Sequence, residues 1–219
     1  MNRFLLNIKK EKNMRIEKNK AAYIEAYKDK VPSFSSNVLS ITDEFYVREE
    51  LVKKGMFALI TTDFADNLAN YLKGKRVLEV MAGAGYLAYE LQNRGVDIVA
   101  TDNYSWGIHA HNDFPIENLS VYDAIRKYSD VDYILVSWIP MNDAATDLIR
   151  AVKKYCPDKL ILHIGEGQSG CTGNDYFFNS VKEVFDNDLL QAQNSFEHFY
   201  GIHDELSLLK LKHGGKKEC

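Results

Sequence analysis

The chain has only three cysteines in 219 residues, Cys156, Cys171 and Cys219. They are too few and too scattered for a disulfide framework or a cysteine-rich zinc site. No apolar run approaches the ~18 residues of a membrane span, and Phe4-Leu5-Leu6 is too short for a signal-peptide core. A cytoplasmic protein is expected. An excess of basic charge is also lacking, because 27 Lys and Arg face 31 Asp and Glu for a formal net charge of −4. That balance makes nucleic acid an unlikely partner without excluding a local basic patch. No internal repeat is present. What remains is an ordinary globular composition, 46% hydrophobic and 26% charged, long enough for one domain with an appendage.

Residues 1–56 read as an N-terminal helical extension, 57–212 as the main domain and 213–219 as a frayed tail. Met1 to Lys30 carries nine Lys or Arg against four acids. Ile16, Tyr23, Ile24 and Tyr27 fall on one face, which predicts a helix from Ile16 to Lys28 that packs on the domain. A lid or a nucleic-acid arm is the alternative. Met14 begins a second plausible start, so the segment before it is expected to be dispensable. Val31 to Ser36 is a break. Ser40 and Thr42, ahead of Asp43-Glu44, predict a helix to Lys54. Thr62-Asp63 predicts a second one through Phe64, Leu68 and Leu72, closing at Gly74.

The stretch Arg76-Val77-Leu78-Glu79-Val80-Met81-Ala82-Gly83-Ala84-Gly85-Tyr86-Leu87-Ala88 organises the rest. A short apolar run passes into a small-residue turn and resumes with helical spacing as far as Arg94. Gly83 and Gly85 leave the backbone bare for a ligand, and the helix start presents free N–H groups. A second strand, Asp97 to Thr101, ends on Asp102, where an α/β sheet holds a ribose by its hydroxyls. Gly83-x-Gly85-x-x-Ala88 with Asp102 satisfies a relaxed dinucleotide fingerprint. Glu79 points elsewhere. An acid inside the first strand, followed by small residues and glycines, resembles the first motif of class I S-adenosylmethionine (SAM)-dependent methyltransferases. A carboxylate there suits the cationic methionine end of SAM and repels a pyrophosphate. Met81 stands where that motif usually has its first glycine.

Beyond Asp102, the loop from Asn103 to Asn112 is polar and aromatic, and His109 and His111 read as loop residues with no metal. Ser120 predicts a helix cap. The methyltransferase pattern implies that Asp123-Ala124 contacts adenine; a first-turn acid answering the helix dipole is the alternative. Asp132 to Pro140 reads as the fourth strand. It lacks the amide or acid and the second proline of amino-group methyltransferases, which puts amino-directed chemistry in doubt. Asn142 caps a predicted helix from Asp143 to Tyr155, and Lys159 to Ile164 is the fifth strand. Gly165 to Asn174 holds four glycines, Glu166 and Cys171, a composition suited to close backbone approach. A helix from Asp175 to Phe185 and two apolar stretches, Leu189 to Phe196 and Leu206 to Leu211, complete the pattern. The two stretches are expected to form a terminal antiparallel pair of strands.

From about Phe57 to Lys212 the chain resembles a family of class I methyltransferase-like proteins that has no established substrate. Val77-Leu78-Glu79 with Ala82 to Ala88, and Gly95-Val96-Asp97 leading to Asp102, carry the resemblance. So do Ser137-Trp138-Ile139-Pro140, Ile164 to Gly167 with Gly170-Cys171-Thr172-Gly173, and Tyr200 to Asp204. It implies a three-layer α/β sandwich with a mixed seven-stranded Rossmann-like sheet and a SAM pocket. The implied cofactor residues are Glu79, Met81, Gly83, Gly85, Asp102, Asn103, Asp123 and Ala124. Glu166, Ser137 and Trp138 are the candidates to face a small or medium acceptor, with Glu166 either a base or a solvated loop acid. A non-catalytic SAM-fold module and a dinucleotide-dependent oxidoreductase are the competing functions.

Overall fold

Residues 25–32 and 44–212 are described in the computed structural model. Seven strands, β1 (Arg76–Val80), β2 (Asp97–Asp102), β3 (Ile116–Asn118), β4 (Tyr133–Ser137), β5 (Leu160–Gly165), β6 (Val181–Glu183) and β7 (Glu205–Leu211), form one sheet. Their order is β3-β2-β1-β4-β5-β7-β6. The first five run parallel, and β7 runs antiparallel to both β5 and β6. The helices are α1 (Glu44–Lys53), α2 (Thr62–Tyr71), α3 (Tyr86–Asn93), α4 (Val121–Lys127), α5 (Asp143–Tyr155), α6 (Asp175–Ser180) and α7 (Leu190–Ser195).

Side-chain alternation divides the molecule into layers. In β1, Val77 joins one core cluster while Leu78 and Val80 join the other, so Glu79 shares the face of Val77. Leu51, Phe64, Leu87 and Ala192 bring α1, α2, α3 and α7 onto that face. Ile125, Leu148 and Phe177 bring α4, α5 and α6 onto the opposite one. The result is the three-layer α/β sandwich with a mixed seven-stranded sheet. No helix among the described residues is long and apolar enough to cross a membrane.

Caps explain where the helices start. Ser120 accepts from the Asp123 N–H, Asn142 from Ala144 and Asn174 from Phe177. For α2 the cap is Thr61 and not Thr62, because the Thr61 hydroxyl accepts the Phe64 N–H at 3.2 Å. Thr62 turns outward and both its N–H and its hydroxyl donate to the Lys30 carbonyl, which ties the segment 25–32 to α2.

Two expectations are corrected, and one strand went unforeseen. The helix expected from Asp175 to Phe185 ends at Ser180, and Val181–Glu183 becomes an edge strand with Lys182 and Glu183 exposed. The stretch Leu189 to Phe196 is not a strand: a 3-10 turn (Asn187–Leu189) leads into α7. Its buried residues, Leu189 and Ala192, and Phe196 recur at helical spacing, with Phe196 edge-on to Phe64 at 4.9 Å. Strand β3 has only three residues and no apolar run, so periodicity gave no sign of it. Of the helix expected from Ile16 to Lys28, only its end is described, as a helical turn at 25–27. The remainder, the caps Ser40 and Thr42, and the tail lie outside the described residues.

Candidate functional site

The carboxyl ends of β2, β1, β4 and β5 open on one side of the sheet, where open α/β folds place ligands. They surround a cavity of about 840 Å³ roofed by α1. Gly55, just past α1, packs so closely on the turn after β1 that a Cβ there would lie 2.6 Å from the Ala84 Cβ.

At the β1–β2 end the polar groups hold the glycine turn and the next helix. Asp102 takes the Gly83 N–H on one oxygen at 2.9 Å and the Tyr104 N–H on the other at 2.6 Å. Helix α3 has Gly85 at its N-cap and therefore no side-chain cap of its own. Glu79 supplies one from β1, its Oε2 accepting the Ala88 N–H at 3.1 Å. Burial, opposed by that bond and reinforced by the Asp102 charge, pushes the Glu79 carboxyl up to about 8. Its protonated form is thereby favoured near neutral pH. Met81 and Gly83 both have left-handed backbones, with φ of 55° and 57°. Glycine fits there without strain, whereas Met81 holds it at a cost of about 1–3 kcal/mol.

At the β4–β5 end the polar groups knit distant segments together. Trp138, the residue after β4, is also left-handed at φ 55°. Its indole N–H donates to the buried Asp204 at 2.8 Å, and the other oxygen of Asp204 is buried without a partner. Burial raises the Asp204 carboxyl above the ordinary aspartate value. The Arg48 guanidinium lies over the Trp138 ring at 5.5 Å and the Phe199 ring at 5.8 Å. Glu166 is committed to its own loop. It accepts the Cys171 N–H at 2.6 Å and the His203 N–H at 3.2 Å, and these bonds hold its carboxyl below the ordinary glutamate value. The Thr172 hydroxyl donates to the Glu166 carbonyl. A Cβ on Gly170 would fall 2.4 Å from the Glu166 Cβ. The space this glycine leaves is filled by the loop itself, not by a ligand.

Of the expected residues, Glu79, Met81, Gly83, Asp102, Asn103, Ser137 and Trp138 line the cavity. Gly85, Asp123, Ala124 and Glu166 do not. Gly85 faces Ile116 and Phe114, which a Cβ would meet at 2.9 and 3.0 Å. Asp123 bonds the Ser120 hydroxyl at 2.7 Å and pairs with Arg126 at 3.0 Å, as a first-turn acid does. Ala124 is buried beneath α4. Ser120 and Val121 line the wall in their place. The loop after β5 reaches the cavity through Cys171, whose thiol is raised by its bond to the Glu166 carboxylate. His111 stacks on Tyr86 at 4.1 Å, and burial lowers its basicity.

Arg48, Phe57, Trp106 and Asp204 were not singled out by residue pattern. Asp204 carried a signal as the end of the Tyr200–Asp204 segment, and Trp106 as part of the polar, aromatic loop after Asp102. Arg48 and Phe57 sit in helix and connector with nothing local to mark them.

No family model matches the chain, and no curated protein matches it by sequence. Among solved structures it is similar to the ribosomal protein L11 methylase of Lactobacillus delbrueckii subsp. bulgaricus. That pair shares 17% identity over 68% of this chain and 77% of the other, with a TM-score of 0.39. Human N-acetylserotonin methyltransferase in complex with SAM is 12% identical over 90% of this chain and 66% of the other, with a TM-score of 0.43. TehB from Haemophilus influenzae is 13% identical over 75% and 67%, with a TM-score of 0.42.

Proposed function

We propose that this protein binds SAM and transfers its methyl group to a small or medium acceptor. One observation carries the choice of cofactor: the Glu79 carboxyl occupies the N-terminus of α3 by accepting the Ala88 N–H. In a dinucleotide site that N–H would face the pyrophosphate. Here an acid already holds it, and a second acid, Asp102, brackets the glycine turn from β2. A cationic amino-acid end beside Glu79 and a ribose at Asp102 suit this pair of carboxyls, and Ser120 and Val121 border the place left for a base.

SAM supplies an electrophilic methyl on a sulfonium. The chain's part is to orient an acceptor in line with that methyl and keep water away. Ser137 and Trp138, at the exit of β4, are placed for that work. Glu166 is reassigned from base to loop staple, since it does not line the cavity and both of its oxygens accept N–H groups of its own loop and of His203. That commitment favours a second reading, a SAM-binding module without turnover.

Calorimetry with SAM, S-adenosylhomocysteine and NADPH tests the cofactor, and binding of NADPH in preference to SAM would sink it. Incubation with methyl-labelled SAM and fractionated metabolite extract tests turnover. Binding without label transfer to any fraction selects the non-catalytic reading.

A further inference from the structure

The chain spends an arginine inside the cavity without giving it a counter-ion. Arg48 pairs with no carboxylate among the described residues, and its Nε is buried with no hydrogen-bond partner. An unpaired guanidinium in such a setting is costly unless a ligand satisfies it. The guanidinium carbon lies over the ring faces of Trp138 and Phe199, and no ion pair among the described residues takes its N–H edge. That edge is the fork that grips a carboxylate or phosphate in two parallel bonds. Arg48 is also the sole Lys or Arg among the described lining residues, against the acids Glu79, Asp102, Asp143 and Asp147. The wall thus offers an anion one place to sit.

We infer that Arg48 seats an anionic group, carboxylate or phosphate, on the methyl acceptor, and that the acceptor carries a flat apolar body. The inference rests on the SAM reading for the half of the cavity the cofactor takes. Arg48 lies over the ring of the residue after β4, and it lines the cavity together with Cys171, after β5. Strands stand ~4.8 Å apart, so β5 is about 10 Å across the sheet from β1. An ammonium held at Glu79 shares its carbon with the cofactor's own carboxylate, which therefore stays on the β1 side. The apolar body follows from three rings along the mouth. Phe57 lies 6.3 Å from Trp138 and 5.8 Å from Trp106, and Trp106 is 63% exposed.

The test compares benzoate, phenyl phosphate and the neutral isostere benzamide on the full chain, with and without saturating S-adenosylhomocysteine. Wild type should bind one of the two anions about tenfold or more tighter than benzamide, and the tighter one identifies the group. Arg48→Gln should erase that preference while leaving S-adenosylhomocysteine affinity within about twofold. Arg48→Lys should keep part of it, since the charge remains and the fork is lost; it also decides the matter if the Gln variant does not fold. Equal binding of benzamide and both anions by wild type overturns the inference. So does an Arg48→Gln variant that loses S-adenosylhomocysteine but not methylthioadenosine, because Arg48 then holds the cofactor's carboxylate. If S-adenosylhomocysteine fails to bind wild type, the SAM reading falls, while the anion preference measured without it still tests Arg48.

Discussion

The two ends of the cavity are built from partners at different distances along the chain. At the β1–β2 end, Glu79 reaches Ala88 nine residues on, and Asp102 reaches Gly83 over 19. At the β4–β5 end, Glu166 reaches His203 over 37 residues and Trp138 reaches Asp204 over 66. The first end is one strand-turn-helix-strand unit that carries its own instructions. The second exists only once β7 has paired with β5 and α1 has been laid across the top. Cofactor binding is therefore expected to be robust to changes at the second end, and acceptor binding sensitive to both.

The largest expected effect breaks the contact between roof and turn. Gly55 has φ 93°, and a side chain would meet the Ala84 Cβ and Ile108 Cγ2 at 2.6 and 2.8 Å. Gly55→Val combines a forbidden backbone region with overpacking, at a cost of about 3 kcal/mol. For a chain of this size that lowers the melting temperature by roughly 6–12 °C. A melt within two degrees of wild type, on the order of what 1 kcal/mol produces, would show that α1 is not seated on the glycine turn.

Next comes the contrast between the ends. Asp102→Ala removes a carboxylate that fixes two backbone N–H groups and that, on the proposed reading, would face the cofactor's ribose. It should weaken S-adenosylhomocysteine by roughly 10- to 100-fold, the worth of a charged hydrogen bond of ~1.5–3 kcal/mol. Asp204→Asn, which leaves an acceptor for the Trp138 indole, should change the same affinity by less than about threefold. Comparable losses in calorimetry would erase the division between the ends.

Glu79 gives an effect with a definite sign. Its folded value, about 8, lies above the ordinary 4.5 because the carboxyl is buried. Between those values the folded state holds a proton that the unfolded chain has released. The Glu79 contribution to stability is thus largest below pH 4.5, falls as pH rises towards 8, and is level beyond. Urea midpoints should fall less steeply for Glu79→Gln than for wild type across that window. An ammonium arriving beside Glu79 favours its ionised form, so cofactor binding at pH 7 should release a proton. The binding enthalpy would then depend on the ionisation heat of the buffer; equal enthalpies in phosphate and Tris would count against this role.

Glu166→Gln is expected to do least. The amide keeps one acceptor for the Cys171 or His203 N–H and loses the charge, a cost of about 1 kcal/mol at a largely solvated site. S-adenosylhomocysteine affinity should stay within about twofold, and chemical shift changes should be confined to the loop and residues near His203. A large loss of cofactor affinity would move this loop into the cofactor site.

Local grammar carried much of the architecture. The run Arg76 to Val80, the glycine turn, the caps Ser120, Asn142 and Asn174, and Asp102 at the tip of β2 were legible because hydrogen bonds within a few residues enforce them. Strands β1, β2, β4 and β5 were legible for another reason, as short, largely buried runs. Short edge elements were less legible. Strand β6 is half exposed, and the 3-10 turn with α7 is so short that the helical spacing of Leu189, Ala192 and Phe196 stands out only once Phe64 is there to receive Phe196.

The site divides in the same way. Sequence alone determined that an acid, a glycine turn and a second acid would meet at the end of adjacent strands, since fewer than 30 residues link them. Tertiary structure alone decided that Ser120, the cap of its helix, reaches the cavity wall while Asp123, bonded to the Ser120 hydroxyl and paired with Arg126, does not. It also turned Glu166 from an available base into a staple and brought Arg48 over Trp138. Those outcomes depend on contacts closed across dozens of residues, where chain entropy leaves no local trace and only the packed sheet fixes which groups meet.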